Sequence, residues 1–101
     1  MWILKGTDEK REEITFRVLP GAAKTVGRSP RADFPLDASL LSRVHCRLTA
    51  SKANRLAVED LNSTNGTFVN GRRIKRSALV DGDCIRLGRV ELSVKWVEPK
   101  G

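Results

Sequence analysis

A single histidine, two cysteines and no tyrosine occur among the 101 residues of this chain, and each scarcity removes a class of chemistry. With His45 alone, most zinc sites and most general-base schemes lack a ligand or a proton acceptor. Cys46 and Cys84 follow neither a metal spacing nor a disulfide-scaffold pattern. Cys46 alternates with Val44, Leu48 and Ala50 and reads as a small buried hydrophobe. Two Trp and three Phe supply no platform pattern for stacking bases. No apolar run approaches the about 18 residues of a membrane span. The opening Met1-Trp2-Ile3-Leu4 passes straight into Lys5-Gly6, without the charged stretch and apolar region of a signal peptide. The expectation is a reduced, intracellular domain (cytoplasmic, or nuclear in a eukaryote) with no metal, no cofactor and no membrane contact. The Met1-Trp2 start favours a domain at the beginning of a longer parent chain.

What is present fits one small core. The chain is 40% hydrophobic, enough for a single domain over residues 1–101 and too little for a separate catalytic cleft. Its 19 Lys and Arg against 12 Asp and Glu give a net charge of +7. Such a surface attracts nucleic acid, anionic membrane or phosphorylated protein, and the count alone does not choose among them. The dense basic cluster, Arg72-Arg73-Ile74-Lys75-Arg76, reads as a solvated loop or an edge strand protected by charge.

The apolar pattern has period two. Ile14, Phe16 and Val18 alternate with polar or exposed positions, as do Val44, Cys46, Leu48 and Ala50, and then Val90, Leu92, Val94 and Trp96. Each stretch predicts a strand with one face on a core. Shorter strands are expected at residues 2–5, 24–28, 56–60, 67–69 and 84–87. Turn signals separate them at Pro20-Gly21, Ser29-Pro30, Asn65-Gly66, Asn70-Gly71 and Asp81-Gly82. Pro35 and Asp37 interrupt the one segment, residues 31–41, that has any helical look. Short strands punctuated by turns predict an all-β sandwich or barrel.

Three clusters lie in turns or at strand ends: Gly27-Arg28; Ser42-Arg43-Val44-His45; and Leu61-Asn62-Ser63-Thr64-Asn65-Gly66-Thr67, followed by Asn70-Gly71. Taken singly, each has a plain structural reading. Asn-Gly pairs, for instance, are the usual dipeptides of type I′ hairpin turns. Taken in order, Gly-Arg, then Ser-x-x-His, then Asn-Gly-Thr in an all-β chain resembles the forkhead-associated domain. Asp81-Gly82-Asp83 with Ile85-Arg86-Leu87-Gly88 resembles that family's late turn and strand, and Trp96 its last strand end, so the resemblance runs from about Ile14 to Trp96.

The resemblance implies a β-sandwich of about eleven mainly antiparallel strands with binding loops at one end. It implies a module that binds phosphothreonine on partner proteins phosphorylated by a Ser/Thr kinase. Residue by residue, Arg28 resembles the arginine that grips the phosphate, Ser42 the serine that donates to it, and Arg43 an adjacent donor. Thr64 resembles a phosphate-loop donor and Asn65 the asparagine that fixes the peptide main chain. Ser63, Leu40 and Leu41 are further candidates for the phosphate loop or for sequence preference. Gly27, His45, Gly66 and Thr67 are expected to shape and brace the loops.

Three rival readings compete with this one. A nucleic-acid-binding domain would use the basic surface, and a phosphate-independent scaffold or self-association module would keep the fold alone. An enzyme built on Ser42 and His45 lacks the G-x-S-x-G elbow, and a serine three residues from the sole histidine has no reason to be aligned for proton transfer. Retention of Arg28, Ser42, Thr64 and Asn65 together favours the phosphothreonine reading. Oligomeric state is not legible.

Overall fold

The computed structural model describes residues 1–98; residues 99–101, the tail of the expected domain, lie outside that description. Eleven strands form: β1 (Trp2–Thr7), β2 (Glu13–Val18), β3 (Ala23–Gly27), β4 (Phe34–Pro35), β5 (Cys46–Ala50), β6 (Leu56–Asp60), β7 (Thr67–Val69), β8 (Arg72–Ile74), β9 (Arg76–Leu79), β10 (Cys84–Leu87) and β11 (Val90–Trp96). They assemble into a six-stranded sheet ordered β2-β1-β11-β10-β7-β8 and a five-stranded sheet ordered β4-β3-β5-β6-β9. Pairing is antiparallel except between β3 and β4. No helix among the described residues is long and apolar enough to cross a membrane.

The period-two pattern is the cause of this arrangement. Side chains of a strand alternate faces, so Ile14, Phe16 and Val18 of β2 point the same way as Val90, Leu92 and Val94 of β11, and all six are buried. From the other sheet Leu48, Leu56 and Val58 meet them. Each such side chain contributes about 1.5–3 kcal/mol by leaving water. At one margin Phe16 of β2 stacks on Phe34 of β4 with ring centroids 4.5 Å apart, closing the sandwich between edge strands of the two sheets.

Three strands fall outside the stretches that alternation predicts. β4 is two residues long, and β8 and β9 carry no apolar alternation, so neither propensity nor periodicity marks them. Cluster 72–76 is edge strand at both ends: β8 borders the six-stranded sheet and β9, which begins at Arg76, borders the five-stranded one. The strand expected at residues 24–28 is shifted by one residue and ends at Gly27.

Val44 is the substantive correction. Alternation places it on a core face with Cys46, yet it is 45% exposed while His45 and Cys46 are both buried. The chain has not entered the ladder at Val44. The amides of Arg28 and Ser29 donate to the carbonyls of Ser42 and Arg43, each at 3.0 Å, and β5 begins only after His45 N–H donates to the Val26 carbonyl at 2.9 Å. The loop joins the strand out of step, and the alternation slips by one residue.

Candidate functional site

The loops that follow β3, β4, β6 and β10 gather at one end of the sandwich. Gly27 ends β3 there. A Cβ at this position would collide with the carbonyl group of Arg43, so only glycine lets the end of β3 lie against the 42–44 segment. That approach sets Arg28 and Arg43 side by side, because the backbone bonds just described join residues 28–29 to residues 42–43.

His45 organises the centre. Its ring is fully buried; Nδ1 accepts the Ser42 N–H at 3.1 Å and Nε2 lies 2.9 Å from the Gly66 carbonyl. An amide can only donate and a carbonyl only accept, so the ring is the tautomer with its proton on Nε2. One side chain thus ties the Ser42 loop to the 61–66 loop.

The 61–66 loop is locked from beneath by Asp60. Its carboxylate accepts the Ser63 hydroxyl at 2.5 Å, the Thr67 hydroxyl at 2.7 Å and the Ser63 amide at 3.2 Å. Ser63 Oγ in turn accepts the Gly66 amide at 2.9 Å. Burial by itself would raise the Asp60 carboxyl, but the Ser63 and Thr67 hydrogen bonds outweigh it and hold the group below its ordinary value. Beside it, burial first and the Asp60 charge second push the Cys46 thiol up to about 12, which leaves it an inert part of the core.

Above this base the exposed groups converge. Ser42 Oγ accepts the Thr64 amide at 2.9 Å, which leaves the hydroxyl proton of Ser42 to donate outward. Asn65 Nδ2 donates to the Leu40 carbonyl at 2.9 Å, fixing the amide plane with its oxygen and second proton free. Arg28, Ser42, Arg43, Thr64 and Asn65 together wall an open cleft of about 330 Å³. No ion pair or side-chain hydrogen bond among the described residues engages either guanidinium. The result is a positive concavity with hydroxyl and amide donors, bordered by Asp37, which pairs with Lys10 at 3.7 Å, and suited to an anion with several acceptor oxygens.

The expected residues divide. Arg28, Ser42, Arg43, Thr64 and Asn65 meet at the cleft, and Leu40 lies at its margin, 37% exposed and packed over Gly88. Leu41 is buried in the core and also lines the cleft, and Ser63 is buried with its hydroxyl already used. Gly27, His45, Gly66 and Thr67 brace the loops. The type I′ geometry holds at Asn70-Gly71, with φ of 50° and 82°, but at Asn65-Gly66 only the glycine has positive φ, because the Ser63–Gly66 bond makes a different turn. Sequence reasoning missed Asp60. Its signal is an Asp followed three residues later by Ser, a pattern that favours side-chain-closed turns. It also missed Glu9, which accepts the Ser39 amide and hydroxyl at 3.2 and 3.0 Å and braces the Leu40 loop from the β1–β2 turn.

Comparison with known proteins follows the same outline. The sequence model of the FHA domain matches residues 24–88, more than half of the chain. The FHA domain-containing protein FhaA of Mycobacterium tuberculosis is 38% identical over 81 residues, which cover 80% of this chain and 15% of FhaA. The solved FhaA FHA domain, complexed with the intracellular domain of Rv3910, superposes with a TM-score of 0.82 at 34% identity, covering 94% of this chain and 100% of that one. A structure solved in a study of phosphothreonine-dependent FHA domain interactions superposes with a TM-score of 0.81 at 33% identity, covering 97% and 98%. The chain spans less than half the length of the curated relatives it matches.

Proposed function

Because this chain belongs to the forkhead-associated (FHA) domain family, we propose that it is a phosphothreonine-dependent protein-binding module whose cleft is formed by Arg28, Ser42, Arg43, Thr64 and Asn65. The observation that carries the reading is the pair of unengaged guanidiniums, Arg28 and Arg43, beside a Ser42 hydroxyl that is oriented by Thr64 and left free to donate. A phosphothreonine carries roughly −1.5 to −2 charges and three acceptor oxygens. The planar fork of an arginine suits those oxygens, and serine and amide donors complete the shell. Each charge-assisted bond contributes about 1.5–3 kcal/mol net. After the cost of ordering the peptide, micromolar affinity near about −8 kcal/mol is expected. Asn65, its plane fixed by the Leu40 carbonyl, is the group that holds the peptide main chain beside the phosphate.

The partner is a protein phosphorylated by a Ser/Thr kinase. The reading is of a binding module and not an enzyme, and it is supported by His45, both of whose ring nitrogens are engaged by backbone groups and so cannot activate Ser42. Two free thiols, Cys46 and Cys84, suit a reducing, intracellular setting.

Titration of a fluorescent, flank-degenerate phosphothreonine peptide library, with phosphoserine, unphosphorylated and Arg28→Ala controls, tests the reading. Expected is micromolar binding that requires the phosphate and Arg28 and weakens by about 1–3 kcal/mol when the threonine methyl is removed. Equal binding of the unphosphorylated library, or no binding by a folded protein, would turn the assignment toward a phosphate-independent scaffold.

A further inference from the structure

The basic cluster Arg72-Arg73-Ile74-Lys75-Arg76 has no part in the phosphate-facing cleft, yet its placement is not that of a solvated loop. It runs from the open edge of one sheet to the open edge of the other, and Lys75 joins the two, its carbonyl accepting the Asp60 amide at 2.8 Å. The edges border a groove of about 650 Å³, against about 330 Å³ for the phosphate-facing cleft. Asn62 and Ser63 of the phosphate loop form part of one wall, and Arg73, Lys75 and Arg76 form the other. Arg73 connects groove and cleft. A Cβ on Gly66 would come within 2.7 Å of its Nε, so its guanidinium lies against the backbone that carries Thr64 and Asn65.

Protection of open edges accounts for cations on β8 and β9. It does not require one of them to fold back onto the phosphate loop, nor a groove beneath them. Neither ion pair among the described residues involves Arg72, Arg73, Lys75 or Arg76. The two acids that share the groove are occupied elsewhere: Asp60 by Ser63 and Thr67, and Glu59 by Arg47 at 3.2 Å.

We propose that this edge groove docks an acidic segment of the same partner chain that carries the phosphothreonine, with Arg73 the specificity-determining residue nearest the cleft. The inference rests on the phosphothreonine reading above. A peptide anchored at Arg28 and Asn65 has only to continue across Gly66 to bring carboxylates over Arg73. The groove opens beside the phosphate loop, so the anchored peptide itself delivers its carboxylates there at high local concentration, an advantage that a separate nucleic-acid strand lacks. The residues that line the groove include no aromatic ring on which a base could stack.

The test uses fluorescence anisotropy with three peptides that share one phosphothreonine core: neutral flanks, three Glu on the N-terminal side, and three Glu on the C-terminal side. One acidic peptide should bind about tenfold tighter than the neutral one, and the gain should fade at high salt. The gain should drop below about twofold in Arg73→Gln and in the triple variant Arg72→Gln/Lys75→Gln/Arg76→Gln, while the neutral peptide keeps its Kd in the triple variant and so reports an intact fold. Neutral binding with no acidic gain, or a gain that survives in both variants, overturns the proposal and leaves the phosphothreonine reading standing. Failure of the wild type to bind the neutral peptide sinks both together. Duplex DNA bound by the wild type and lost in the triple variant, with no acidic gain, assigns the groove to nucleic acid instead.

Discussion

His45 and Asp60 hold the site without facing the cleft, and they do so by different physics. The His45 ring satisfies one backbone donor and one backbone acceptor that burial would otherwise leave unpaired, at a cost of about 1–3 kcal/mol for each. Asp60 works as a charge: three donors converge on its carboxylate, and the folded state favours its ionised form. Its folded carboxyl is therefore more acidic than its unfolded one, and the folded chain binds fewer protons. The stability it contributes is present in full above the unfolded value of about 3.9 and is lost as pH falls through the lowered folded value. Urea denaturation of the wild type and Asp60→Asn from neutral to acid pH should show a gap at neutrality that closes below about pH 4. A constant gap at every pH would mean that Asp60 acts through shape alone.

At the scale of elements, the contact between the end of β3 and the 42–44 segment decides where the two arginines stand. Gly27→Ala puts a methyl group into the Arg43 carbonyl, so the loop must move or the strand must end early. Expected is a loss of about 1–3 kcal/mol in stability together with a weaker phosphopeptide Kd, read from urea unfolding and anisotropy on the same sample. An unchanged Kd would show that the cleft tolerates the displacement. The elements themselves were unevenly legible. β2, β6, β7, β10 and β11 could be read from alternation and turn residues, since one buried face imposes period two. β4 escaped because its two residues pair with β3 only through tertiary packing, and the 72–76 cluster was legible only as a loop or an edge strand, without bounds, because charge hides an edge strand's pattern.

Across the whole molecule, the net charge of +7 acts on encounter and the cleft acts on retention. Stopped-flow binding of a phosphothreonine peptide should lose association rate by about tenfold or more between low salt and about 1 M, where the screening length falls to about 3 Å, with a smaller change in dissociation. Equal changes in both rates would mean that the surface charge does not steer. By itself the sequence determined the all-β class, most strands, the turns, and the residue types that an anion site needs, because alternation, glycine and asparagine each report a local constraint of the backbone. Tertiary structure alone decided that Val44 is exposed, that Leu41 is buried beside the cleft, that the Ser63 hydroxyl is used within the loop, that Asp60 underpins the loop, and that Arg73, Lys75 and Arg76 border a groove. Those outcomes depend on which distant segments meet, and no period or local propensity along a single chain records that.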